Sequence, residues 1–81
     1  MIIYYDKYEG VHNTIRYVRI DYSNKEEEFV EAVIYLMKER GWDFDLYTFG
    51  GESSYAYCDV YDNKDGFMYD WEECEEEVNQ M

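Results

Sequence analysis

One amphipathic helix pattern divides this chain and limits what it can fold into. Its apolar residues recur at spacings of three and four positions, which lines one face of a helix: Phe29, Val30, Val33, Ile34 and Met37. Segments that alternate between apolar and polar residues lie on both sides of it, and such alternation is typical of strands with one buried face. The chain is therefore expected to form a core between this helix and the strands.

The residues around this pattern predict where the helix begins and ends. Ser23 and Glu26 match a capping box, in which the serine accepts a hydrogen bond from a free backbone N–H and the glutamate reaches back to the cap. Lys38 and Arg40 lie at the other end, where cations interact favourably with the helix dipole. Gly41 follows as the expected C-terminal cap.

Two hairpins are predicted around the helix. Residues 2–8 and 14–22 are rich in β-branched and aromatic side chains, and residues 10–13 between them have turn chemistry. Residues 42–49 and 53–61 alternate as well, on either side of a glycine-rich turn. In this second hairpin the residues expected to face outward are mostly aspartate and tyrosine: Asp43, Asp45, Tyr47, Phe49, Tyr55, Tyr57, Asp59 and Tyr61.

The last part of the chain predicts a second, shorter helix. Residues 62–66 are turn-forming, and Asp70 with Glu73 resembles a helix cap. Four apolar residues then fall on one face: Trp71, Cys74, Val78 and Met81. The order ββαββα predicts one α+β domain over residues 1–81, a four-stranded antiparallel sheet with one long helix packed on it and a short C-terminal helix.

The net charge of −13 is concentrated in the second half of the chain. Residues 1–41 hold eight acids and six bases, a net −2, whereas residues 42–81 hold twelve acids and one base, a net −11. Such a surface repels nucleic acids and anionic membranes, whose binding depends on lysine and arginine. A basic protein surface is the expected partner, and homo-oligomers are a further possibility.

The acids of the second half occur in a pattern suited to such a partner. Glu72/Glu76 and Glu73/Glu77 are like-charge pairs at i and i+4, which destabilise a helix by ~0.2–0.5 kcal/mol per pair. Alternate strand residues lie ~6.6–6.8 Å apart, comparable with successive phosphates of a nucleic-acid strand. The tyrosines between the acids offer a large contact area to a partner and can form cation–π contacts with its lysine and arginine side chains. The candidate binding residues are Asp43, Asp45, Tyr47, Tyr55, Tyr57, Asp59, Asp62, Asp65, Glu72, Glu73, Glu76 and Glu77.

In size, charge and acidic-aromatic surface, residues 42–81 resemble small phage-encoded inhibitors that mimic DNA and occupy the nucleic-acid site of a host enzyme. Anti-CRISPR proteins, uracil-DNA glycosylase inhibitors and antirestriction proteins include members of this kind. The resemblance implies an inhibitor that acts in the host cytoplasm on a nucleic-acid-binding enzyme. A CRISPR effector is the first target it suggests.

Other features of the sequence were weighed against this interpretation. The single histidine, His12, lies in a predicted turn and no residue has a nucleophile motif, so neither an enzyme activity nor a cofactor is predicted. No signal-peptide pattern is present at the N-terminus, so a cytoplasmic protein is expected, with Cys58 and Cys74 as core residues.

Two alternative functions remain open from the sequence. The first is a non-inhibitory acidic interaction module, or a subunit that dimerises through a sheet edge. The second is calcium binding, since several residues after Tyr61 fall on EF-hand positions, although Tyr61 itself replaces the first aspartate. The matching residues are Asn63, Asp65, Gly66 and Glu72.

Overall fold

The elements of the fold follow the predicted order. The computed structural model describes residues 1–7, 15–49, 53–61 and 63–80. Within these ranges lie four strands and two helices: β1 (Ile2–Lys7), β2 (Ile15–Ser23), α1 (Glu27–Glu39), β3 (Phe44–Phe49), β4 (Ser53–Asp59) and α2 (Lys64–Asn79). The α+β class and the order ββαββα are confirmed. The predicted turns at residues 10–13 and 50–52 lie outside the described residues.

The four strands form one sheet in the order β1-β2-β4-β3, and all neighbouring strands are antiparallel. Because β2 and β3 both run antiparallel to β4, they are parallel to each other and one strand apart. Helix α1 is the crossover between them. The second hairpin therefore joins the first through β4, which leaves β1 and β3 as the two edges.

Both helices pack on the same face of the sheet. The sheet contributes Val18, Ile20, Phe44, Ala56 and Cys58 to one buried cluster. That cluster also contains the apolar face of α1 and three residues of α2: Phe67, Trp71 and Cys74. Cys58 and Cys74 are free thiols in this core, so the prediction that they are core residues is confirmed. The other face of the sheet is not covered by either helix.

The two ends of α1 differ in how well they match the prediction. At its start the Glu26 carboxylate accepts hydrogen bonds from the backbone N–H and the hydroxyl of Ser23, at 3.2 and 3.1 Å. The serine thus donates to Glu26 and does not cap the helix itself. At its end Gly41 has a φ of +97°, and the N–H of Gly41 and of Trp42 donate to the carbonyls of Lys38 and Met37. These two bonds form a Schellman cap.

The positive φ of Gly41 predicts a cost for any other residue there. A Cβ atom at Gly41 would meet nothing within 4 Å, so the penalty of Gly41→Ala comes from the backbone alone. We expect the free energy of unfolding to fall by about 1–2 kcal/mol in urea denaturation. The control is Glu39→Ala, an exposed helical site, and equal losses in the two variants would contradict this account.

The second helix is longer than predicted. It begins at Lys64, six residues before Asp70, and its 16 residues exceed the 13 of α1. The C-terminal helix is therefore confirmed, but its predicted short length and its predicted cap at Asp70 are wrong. Phe67 lies four residues before Trp71 and continues the same apolar face, so burial of Phe67 extends the helix toward its N-terminus. The Asp70 carboxylate instead accepts hydrogen bonds from Trp42 and Arg40.

Candidate functional site

The outer side of α2 carries a row of exposed residues. Since Phe67, Trp71 and Cys74 pack into the core, the residues opposite them face solvent. Positions separated by three, four and seven residues share a helix face. We call the resulting row the α2 ridge, and it consists of Asp65, Tyr69, Glu72 and Glu76, all exposed.

The α2 ridge keeps its charge uncompensated. Glu72 and Glu76 lie about 6 Å apart along the helix axis, from the rise of 1.5 Å per residue. Within the described residues neither carboxylate has a salt bridge. The last turn of α2 contains no basic residue, so nothing there offsets the unfavourable interaction of the acids with the negative end of the helix dipole.

Three other acids of α2 bind Arg40 at the end of α1. Nη1 of Arg40 lies 3.1 Å from Asp70 and 2.7 Å from Glu73, and Nη2 lies 3.7 Å from Glu77. The hydrogen bond with Glu73 raises the pKa of Arg40 further above its ordinary value, so the guanidinium stays charged. The indole N–H of Trp42 donates to Asp70 at 2.8 Å. We call this group the Arg40 cluster, and it fastens α2 to α1.

Removal of the central cation should therefore loosen the helix pair. In Arg40→Gln the three carboxylates lose their shared partner and repel one another. We expect a lower free energy of unfolding than in the unmodified protein, with a difference that shrinks at high salt because screening weakens both the lost attraction and the new repulsion. Urea denaturation at low and high salt measures this difference.

The control is Lys38→Gln, which removes the same charge from the last turn of α1. Lys38 is exposed and has no salt bridge with another described residue. A loss of stability in Lys38→Gln equal to that of Arg40→Gln, with the same salt dependence, would show that overall charge rather than the Arg40 cluster is responsible.

The uncovered face of the sheet carries the other predicted residues. Strand pairing places them in rows that cross the sheet from β1 to β3. One row is Tyr4, Arg19, Tyr57 and Asp45, and the neighbouring row is Ile2, Asp21, Tyr55 and Tyr47. On the other side of the first row, Tyr17 pairs with Asp59. We call these ten residues the open face.

Four tyrosines of the open face form one connected cluster of rings. Tyr47 stacks on Tyr55, with 5.0 Å between ring centroids and 18° between ring planes. Tyr57 meets Tyr17, Tyr47 and Tyr55 edge to face, at 5.4, 6.0 and 5.3 Å. Each such contact favours a fixed ring position, so the sheet presents a preformed aromatic surface and not a set of independent side chains.

An arginine of the chain is bound on this aromatic surface. Nε and Nη2 of Arg19 donate to the two carboxylate oxygens of Asp21, at 2.7 and 3.2 Å. The guanidinium carbon lies 4.9 Å from the ring centroid of Tyr55 and 5.8 Å from that of Tyr4. Arg19 is therefore held by a bidentate ion pair and by two cation–π contacts.

The structure does not bring all twelve candidate residues together. Asp45, Tyr47, Tyr55, Tyr57 and Asp59 lie on the open face, whereas the acids of α2 lie on the helical side of the sheet. Of the candidate acids in α2, Glu73 and Glu77 are engaged in the Arg40 cluster, and the other three lie in the α2 ridge: Asp65, Glu72 and Glu76. Asp43 is exposed just before β3, and Asp62 lies outside the described residues.

Several residues of these surfaces were not among the candidates. The alternation in β2 already placed Arg19 and Asp21 outward, but no local signal showed that Tyr4 and Tyr17 of the first hairpin share a face with the second hairpin. That neighbourhood depends on the pairing of β2 with β4. Arg40 precedes the acids that it binds in α2 by 30 to 37 residues, so no short sequence motif contains both partners.

Both cysteine thiols are buried in the core. Burial raises the pKa of the Cys58 thiol to about 12, with nearby aspartates adding to the effect, and burial also raises the pKa of Cys74. Both thiols are protonated at neutral pH and are weak nucleophiles. Asn24, Glu27, Thr48, Ser53 and Ser54 line a cavity of about 360 Å³, where Glu27 is the one ionisable group among these five.

The described residues also lack a ready metal site. They contain no group of three or more histidine, cysteine or acidic side chains placed to hold an ion. Because α2 begins at Lys64, the residues Asp65, Gly66 and Glu72 lie in a helix. This part of the chain does not have the loop backbone with which an EF-hand encloses calcium.

Comparisons of the chain with protein-family models, with curated protein sequences and with solved structures found no match. Within the described residues, neither helix is both long and apolar enough to cross a membrane.

Proposed function

We propose that this protein is an acidic inhibitor that occupies a basic nucleic-acid-binding groove of another protein. The observation that carries the proposal is the α2 ridge, in which exposed carboxylates lie in a row and form no salt bridge with another described residue. The ridge presents negative charge at a spacing of about 6 Å between Glu72 and Glu76. A groove lined with lysine and arginine to receive phosphates is complementary to such a row.

The stability cost of the ridge supports a role in binding. Glu72 and Glu76 repel each other at i and i+4, which costs a helix ~0.2–0.5 kcal/mol, and Glu76 also lies near the negative end of the helix dipole. A single lysine at either position would turn this repulsion into attraction. A helix that only covers the core gains nothing from this repulsion. In a helix that binds a cationic groove, favourable ion pairs with the partner offset the repulsion once the complex forms.

The open face supplies a second surface of the same charge sign. Asp45 and Asp59 are exposed and have no salt bridge within the described residues. Because the open face and the α2 ridge belong to opposite layers, a flat partner surface contacts one of them at a time. We assign the mimicry of phosphates to the ridge and a separate contact to the open face.

The target class rests on the resemblance to phage inhibitors that mimic DNA. A CRISPR effector is the first target to test, because these enzymes hold nucleic acid in a positively charged channel. The alternative is a non-inhibitory module that binds a basic protein, and the aromatic open face with its bound Arg19 favours it. A homodimer through a sheet edge is disfavoured by the net charge of −13 on each copy.

Affinity capture tests the proposal. The immobilised protein is exposed to a bacterial lysate at low and at moderate salt, and the retained proteins are identified and assayed for nucleic-acid binding. We expect retention of a nucleic-acid-binding enzyme whose activity falls when the free protein is added. Retention only of proteins whose activity is unaffected would favour the interaction module over the inhibitor.

A further inference from the structure

The arginine bound on the open face shows which kind of side chain this surface binds. Arg19 lies between the carboxylate of Asp21 and the rings of Tyr4 and Tyr55. The planar guanidinium suits this setting because it can pair with a carboxylate through two N–H groups and stack on aromatic rings at the same time. A lysine ammonium, as a compact and strongly hydrated charge, cannot make the two contacts in the same way.

A second pair of carboxylates flanks a tyrosine ring on the open face, and neither of these carboxylates is paired with Arg19. Tyr57 lies directly opposite Asp45 across the β3–β4 pair and two residues before Asp59 on its own strand. The Cβ atoms of a directly opposed pair lie ~4.5–5.5 Å apart, and alternate residues of one strand lie ~6.6–6.8 Å apart. A guanidinium beside the ring of Tyr57 is therefore within reach of both carboxylates.

The charges of this second group are unsatisfied. Among the described residues of the open face Arg19 is the one cation; its guanidinium donates to Asp21 and also interacts with the hydroxyl of Tyr57. Neither Asp45 nor Asp59 has a salt bridge with a described residue, and both are exposed. The rings beside them are held in place by contacts with Tyr17, Tyr47 and Tyr55, so a ligand would not have to order them.

We propose that Asp45, Tyr57 and Asp59 form a binding site for an arginine side chain of a partner protein. The two carboxylates accept hydrogen bonds from the guanidinium, and the aromatic cluster packs against its plane, as Asp21 and Tyr55 do for Arg19. This site rests on the proposed function only in that the partner is basic. Beyond the proposed function, the site specifies that the partner inserts an arginine and that the open face of the sheet receives it.

A second copy of the chain is the less suitable occupant of this face. Each copy carries a net charge of −13, so two open faces would meet with repulsion. On the open face of the second copy, the described cation is Arg19, and it is already bound to Asp21 of the same copy. An arginine from a basic partner brings the missing charge and leaves the internal ion pair intact.

The test uses the isolated protein and two model peptides. Isotope-labelled protein is titrated with a short glycine peptide that contains a central arginine, and then with the same peptide carrying lysine. We expect shifts of the backbone amide signals of Asp45, Tyr57 and Asp59, and a dissociation constant about threefold lower for the arginine peptide. The double variant Asp45→Asn with Asp59→Asn should keep the native spectrum and lose the arginine preference.

The control is Glu28→Gln with Glu39→Gln, which removes two exposed charges from α1. It should retain the preference for arginine. Equal affinity for the two peptides, shifts confined to the α2 ridge, or signals of the open face that change with protein concentration alone would each overturn the site. Such results would leave the inhibitor proposal standing if the partner were still captured through α2.

Discussion

Replacement of Phe67 by alanine is expected to remove a large share of the stability of this domain. Phe67 is fully buried, and its ring contacts those of Trp42, Phe44 and Trp71 at centroid distances of 5.3, 6.0 and 5.9 Å. Truncation of a buried phenylalanine typically costs about 3–5 kcal/mol. A domain of this length is stable by only about 4–12 kcal/mol, from the usual range per residue.

Urea denaturation followed by tryptophan fluorescence measures the effect, since Trp42 and Trp71 both lie beside Phe67. The control is Met68→Ala on the exposed side of α2, for which a much smaller loss is expected. A loss below about 1 kcal/mol in Phe67→Ala, with an unchanged denaturant slope, would show that α2 is not an integral part of the core.

The second large effect is expected from the ridge variant, Glu72→Gln with Glu76→Gln. Its binding to the captured partner should weaken about tenfold, since the two lost ion pairs together contribute up to about 2 kcal/mol and 1.4 kcal/mol is a factor of ten. The free protein should become slightly more stable, because the substitutions remove a repulsive i, i+4 pair. A loss of binding together with a gain of stability separates a binding surface from a structural one.

The matched control is Glu28→Gln with Glu39→Gln, which makes the same change in charge on the outer side of α1. The α1 variant should bind almost as well as the unmodified protein. An equal loss in the α1 and ridge variants would mean that the partner senses total charge and that the ridge has no special role.

Much of the fold could be predicted because its determinants are local. The spacing from Phe29 to Met37 specified the buried face of α1, and the alternation around Val18 and Ala56 specified which sides of the strands face the core. Gly41 marked the end of α1 through its backbone conformation. Each of these signals lies within a few residues of the element that it specifies.

The start of α2 was missed because a local signal was misleading. Asp70 and Glu73 have the spacing of a cap, yet both carboxylates bind Arg40, which is distant in sequence. The apolar spacing from Phe67 to Trp71 was the better evidence, since it joins Phe67 to the buried face. Gly66 in the first turn made that segment resemble a loop, although it is helical.

The candidate surfaces could be predicted only in part, because their grouping depends on how distant segments pair. Alternation placed Asp45 and Tyr57 outward, but it did not show that Tyr4 and Arg19 share their face, which depends on the β2–β4 pairing. Which layer α2 occupies also depends on tertiary packing. For this reason the sequence left open whether the acids of the second hairpin and those of α2 share one side of the molecule, and the structure places them on opposite sides of the sheet.

Competition at equilibrium tests the central claim most directly. A fluorescently labelled nucleic acid is bound to the captured enzyme, and this protein is added in increasing amounts at constant salt. We expect the nucleic acid to be released and its apparent dissociation constant to rise linearly with the concentration of the added protein. A ternary complex in which both bind together, with the affinity for the nucleic acid unchanged, would contradict the account.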